Sequence, residues 1–164
     1  MAGNCQTCVA VFDARLRGYD IEAIPFSEVN PYIMALGHQP ALAYMDNKTN
    51  KIPDMLYSDE VKKPSDCEAW LNNRVKNGQR FVFVHKPANS STAHIVEVSK
   101  NIFGQLRFYD PQSGESFNKS FLKGIDYRKE FEGFPPYIFR VDDKELNITF
   151  LNKMFSYSTY RKPD

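Results

Sequence analysis

Three stretches in the middle of the chain restrict its fold more than anything else in the sequence. RFVFVHK (80–86), AHIVEVSK (93–100) and GQLRFYD (104–110) are dense in β-branched and aromatic residues, the pattern of consecutive strands. A further strand is predicted over YIFRVDD (137–143). Helical patterns come before these strands. The expected order is therefore a helix-rich half followed by an antiparallel sheet, an α+β architecture.

The turn Asn-Ile-Phe-Gly makes a hairpin of the second and third stretches. With the turn centred on Ile102, Val98 faces Leu106, Val96 faces Phe108 and His94 faces Asp110. The two-residue side-chain period then puts two apolar pairs and one imidazole–carboxylate pair on the same face. A one-residue slip would set Val96 and Val98 against Arg107 and Tyr109, which argues for the first register. An aspartate on one ring nitrogen fixes the tautomer of a histidine and leaves the other nitrogen to act on a thiol or a water. The plainer alternative is a structural histidine satisfied at a strand end.

Ahead of the sheet, a helix is predicted over 5–17. Cys8, Val9, Phe12 and Leu16 form its apolar stripe, Asn4 its N-cap and Gly18 its C-terminal stop. Residues 19–65 are rich in Pro, Asn and Asp and are expected to be loops with a short helix near 29–36. A second helix is predicted over 66–77, with Ala69 or Trp70, Leu71 and Val75 inward and Gly78 ending it. A short helix is expected over 115–124, and a frayed polar tail closes the chain.

Two of the 3 cysteines, Cys5 and Cys8, lie in the first helix. They fit half a zinc site, a redox pair, packing, or one nucleophile with a bystander. Zinc needs about four ligands, and Cys67, His38, His85 and His94 supply no second close pair, so no metal is expected. A redox pair of the thioredoxin kind follows a strand, and none precedes Cys5. At the first helical position, Cys5 meets unsatisfied backbone N–H groups and the positive end of the helix dipole. Both stabilise a thiolate and can hold an oxyanion. Cys8 lies one turn deeper and is expected to be packing, with a second standing as the alternative nucleophile. Cys67 is expected to be structural on a polar helix face, His85 a strand-end residue, and His38 a loop residue.

A length of 164 residues predicts a single domain over 1–164. The net charge of +1 gives no broad attraction to nucleic acid or anionic lipid, so neither is an expected partner. No apolar run approaches the roughly 20 residues of a membrane span. No basic-then-apolar signal pattern is visible at the N-terminus. Met1 lies only four residues before Cys5, so the chain is expected to be the C-terminal part of a larger protein.

The stretches NCQTCVAVFDARLRGYDIEAIP, AHIVEV, RFYDPQSGE and YIFRVDD resemble the papain-fold toxin family, the papain-like glutamine deamidase domains of bacterial polymorphic toxins and phage head-associated proteins. The resemblance implies a papain-like fold, in which an N-terminal helix carrying the cysteine packs on an antiparallel sheet carrying the histidine and aspartate. Carried over residue by residue, it implies Cys5 as nucleophile, His94 as general base and acid, and Asp110 as the orienting carboxylate. Asn4 and Gln112 are oxyanion or supporting residues. It implies deamidation of glutamine side chains on a target protein, without a cofactor. A cysteine protease or transglutaminase on the same triad is the alternative, and a non-catalytic papain-like binding module is another. A cognate immunity protein, and delivery from a bacterium or phage into the cytoplasm of a target cell, are further implications of the family.

Overall fold

The computed structural model describes residues 5–21, 30–128 and 135–154. The chain divides into two compact units, Met1–Pro53 with Asp143–Asp164, and Asp54–Asp142.

The first unit opens with helix α1 (Cys5–Leu16). It ends in a Schellman motif: Gly18 adopts φ 89°, Gly18 N–H donates to the Arg15 carbonyl and Tyr19 N–H to the Ala14 carbonyl, both at 3.0 Å. Only glycine takes this backbone conformation without strain. The predicted stripe is corrected. Leu16 is exposed and Cys8 and Phe12 are half-buried, whereas Thr7, Val9, Ala10, Val11, Asp13 and Ala14 are buried. Of the predicted stripe only Val9 is buried, because small residues fill much of the buried arc and the large apolar residues Phe12 and Leu16 lie outside it. The buried Asp13 carboxylate pairs with Arg17 one turn on, at 3.0 Å. Helix α2 (Pro31–His38) is capped by the Asn30 side chain, which accepts from the N–H groups of Tyr32 and Ile33. A 3-10 turn (Pro40–Ala43) leads into strand β1 (Tyr44–Met45).

The second unit is built on a six-stranded sheet. Its strands are β2 (Leu56–Tyr57), β3 (Arg80–His85), β4 (His94–Lys100), β5 (Leu106–Asp110), β6 (Glu115–Phe117) and β7 (Tyr137–Arg140), in the order β2-β7-β3-β4-β5-β6. All neighbours run antiparallel. Helix α3 (Pro64–Arg74) starts with proline at its first position, where a missing N–H costs nothing. It packs Cys67, Leu71 and Val75, at four-residue spacing, against Phe81, Phe83, Val96, Val98, Leu106, Phe108 and Ile138. Cys67 is thus a core residue on the inner face of α3, not a polar-face residue. On the opposite sheet face Val82, Val84, Ile95 and Phe139 are also buried. Burial on both faces explains why FVFV is continuously apolar rather than alternating.

The chain then returns to the first unit. Strand β8 (Glu145–Leu146) pairs with β1, and helix α4 (Ile148–Met154) follows. The short strands β1, β2 and β8 and helix α4 have too little pattern to be legible in sequence. The segment predicted as a helix over 115–124 is strand β6 followed by a 3-10 turn (Lys119–Gly124).

The β4–β5 hairpin needs the most consequential correction. Its register is Val98 with Phe108, Ser99 with Arg107 and Lys100 with Leu106, one pair further along than predicted. The cause is Gly104. It takes φ 74° and closes a three-residue loop in which Gly104 N–H donates to the Asn101 carbonyl and Asn101 N–H to the Gln105 carbonyl. This is the turn-plus-left-handed-glycine loop of antiparallel hairpins, and it moves the centre from Ile102 to Phe103. The slip is an even number of residues, so every side chain keeps its predicted face. Open space surrounds the position, with Asn77 Oδ1 3.8 Å from an added Cβ. Gly104→Ala should therefore cost about 1 kcal/mol through backbone strain alone, read as a lower urea midpoint at unchanged m-value.

Candidate active site

His94 opens β4 and Asp110 closes β5, so both sit at the end of the ladder away from the turn. In the observed register they are diagonal rather than directly opposed. Long side chains span that diagonal. His94 Nε2 lies 2.7 Å from Asp110 Oδ2. A carboxylate only accepts, so Nε2 carries a proton, and in the neutral ring Nδ1 carries the lone pair. Beyond Asp110 the chain turns sharply, with Gly114 N–H donating to the Asp110 carbonyl at 2.7 Å. The other carboxylate oxygen, Oδ1, accepts from the Gln112 N–H at 2.8 Å and the Ser113 N–H at 3.4 Å. Each oxygen is thus held by a different element, one by the turn and one by the imidazole. Burial pushes the Asp110 carboxyl up, but the His94 bond and charge and the Gln112 and Ser113 amides outweigh it and hold it below its ordinary value. Gln112 touches this carboxylate through its backbone, while its side chain is exposed.

A residue that sequence reasoning set aside lies against this pair. His85 ends β3 directly across from His94 and is 2% exposed. Its ring stacks on Phe83 at 5.1 Å and meets His94 edge-on at 5.7 Å and 87°. Burial first, and then the neighbouring His94, push its pKa down to about 3, so the ring is neutral. Its Nδ1 meets no partner at ordinary hydrogen-bond geometry among the described residues. Pairing RFVFVH with HIVEVS across the 86–93 connection would have placed the two histidines opposite each other. That was the available signal.

Cys5 is the first residue of α1 and is buried, 4% exposed, while Cys8 one turn on is half-buried. The expectation that Cys8 is a buried packing residue is met only in part, since it is half-buried and Cys5 is the more enclosed of the two. Cys67 is wholly buried, and its thiol is pushed up to about 12 by that burial. Asn4 lies outside the described residues. His38 ends α2. The structure brings His94 and Asp110 together. Cys5 belongs to the first unit and stands at the start of its helix.

A sequence profile of the family described as papain fold toxin 1, glutamine deamidase, matches residues 3–115, more than half of the chain. The chain belongs to this family. The toxin's helix beginning at Cys5 and its antiparallel sheet are the elements of the papain-like α+β fold class that the resemblance implied. The matched span contains Cys5, Cys8, His85, His94, Asp110 and Gln112. It also crosses residues 27–79, where the sequence offers no separate motif. YIFRVDD, which supported the resemblance, lies beyond the match. A comparison with curated proteins finds no match to the toxin.

The lowered carboxyl of Asp110 fixes the sign of an acid effect. Between its folded pKa and the unfolded value of about 3.9 the unfolded chain binds the extra proton, so folding stability rises with pH there and is lost as pH falls. Asp110→Asn removes that contribution. Stability of the variant, followed by urea unfolding, should fall less steeply than that of the parent on acidification from about pH 5 downward.

Proposed function

We propose that the toxin deamidates glutamine side chains of a target protein through Cys5, His94 and Asp110. The observation that carries the reading is the 2.7 Å bond between His94 Nε2 and Asp110 Oδ2, which leaves the lone pair on Nδ1. Membership in a family described as glutamine deamidases supports the substrate bond. In this mechanism His94 Nδ1 takes the Cys5 proton, and the thiolate attacks the carboxamide carbon. The oxygen of the tetrahedral intermediate takes the negative charge. The Cys5 backbone N–H, at the start of α1, is a donor suited to that charge, and Asn4 is a second candidate. Collapse breaks the carbon–nitrogen bond as imidazolium His94 gives its proton to the leaving nitrogen, releasing ammonia and a thioester. A water then attacks the thioester with His94 as base, and glutamate leaves while the thiol is restored. Asp110 holds the imidazole plane and stabilises the imidazolium between these steps.

The consequence for the target is one neutral amide turned into one negative charge, enough to disrupt an interface that has no room for it. This reading places the toxin in the cytoplasm of a recipient cell. It also implies an immunity protein that protects the producer. Among the described residues no helix is long and apolar enough to cross a membrane.

The test is expression in a bacterial host of the parent, Cys5→Ala and Cys8→Ala, with mass spectrometry of host proteins and an ammonia assay on the purified chains. The expected result is loss of toxicity and of ammonia release, by about 10³-fold or more, in Cys5→Ala only, with parent targets carrying glutamate where glutamine was encoded. Loss in Cys8→Ala alone would move the nucleophile. Cleaved target chains without amide-to-acid conversion would make the enzyme a protease.

A further inference from the structure

His85 takes no part in the mechanism above, yet it is packed on the residue that moves the protons. Its neighbours are rings: Phe83 stacked at 5.1 Å, Phe121 edge-on at 5.1 Å and His94 edge-on at 5.7 Å. Phe121 in turn stacks on Phe108 at 5.0 Å and touches Phe117 at 5.3 Å. Phe83 and Phe108 are fully buried, so the ring beneath His94 is anchored in the core.

We propose that His85 is a positioning residue for His94: its buried ring props the His94 imidazole edge-on at 5.7 Å so that Nε2 stays on Asp110. The inference rests on reading His94 as the proton carrier. The strand order β3-β4-β5 supplies the logic. The hydrogen bond from β5 holds Nε2. A contact from β3, on the other side of β4, fixes the plane. Directly opposed residues are the closest cross-strand neighbours, and position 85 is the one on β3 opposite His94.

The prop must also tolerate charge, because His94 becomes a cation between proton transfers. A neutral ring adds no charge beside that cation, whereas a second cation would repel it. Burial keeps His85 neutral. On the β5 and β6 side of His94 the Asp110 carboxylate touches it, and Glu115 pairs with Asp110 across β5 and β6.

Two variants of the full chain separate ring from filler. His85→Leu fills comparable space without a planar ring, and His85→Phe keeps a ring without nitrogens. Circular dichroism checks folding, NMR follows the His94 ring signal against pH, and ammonia release from a glutamine-containing peptide gives kcat and KM. We expect His85→Leu to lower the His94 midpoint by about half a pH unit or more, because an imidazole held less firmly keeps less of the Asp110 bond that favours its charged form. It should also reduce kcat about tenfold at nearly unchanged KM, and His85→Phe should restore both. A Leu variant that titrates and turns over like the parent would overturn the proposal, as would a folded Phe variant as impaired as the Leu one. Should His85→Phe not fold, the Leu variant decides. The titration needs no substrate, so a parent that releases no ammonia would defeat the deamidase reading without touching this one.

Discussion

The two-residue side-chain period of the β4–β5 ladder ties the core of this toxin to its chemistry. The same face that buries Val96, Val98, Leu106 and Phe108 against α3 carries His94 and Asp110 at its far end. Apolar packing fixes which way the strands face, and the polar pair inherits that orientation. A histidine and an aspartate on opposite faces could not meet. An odd slip in the ladder would take the valines out of the core against α3, put Glu97 in their place and separate the pair. The hydrogen bond is therefore protected by the hydrophobic cost of moving the strand.

Within that frame the polar groups are distributed rather than clustered. Asp110 has one carboxylate oxygen on His94 and the other on the amides of the turn that follows. The turn thus orients the carboxylate before the carboxylate orients the imidazole. On the other side of β4, His85 sits buried and neutral among Phe83, Phe121 and His94. Three neighbouring strands therefore meet at one imidazole, each through a different kind of contact.

Much of this was legible in the sequence, for physical reasons that differ from element to element. The strands were visible because β-branched and aromatic residues crowd them. The end of α1 was visible because Gly18 is the residue its Schellman turn requires. His94 and Asp110 were legible as a pair because parity survives a register error of an even number of residues. The register itself was not, because the left-handed role of Gly104 decides it and the letters alone allow the turn to be centred on either side. The inner face of α1 was misread because Ala10, Ala14 and Thr7 carry its packing, and small residues give a weak periodic signal. His85 was passed over because a histidine after FVFV looks like a strand end until its cross-strand neighbour is drawn.

The central claim is that the His94–Asp110 pair serves the Cys5 thiol. Its most direct test is the rate at which iodoacetamide captures Cys5, followed by peptide mass spectrometry from mildly acidic to mildly basic pH in the parent, His94→Ala and Asp110→Ala. The account predicts that the parent captures Cys5 fastest, that His94→Ala is slowest, and that Asp110→Ala falls between the two. Capture of Cys5 that follows the same pH curve in all three proteins would contradict it.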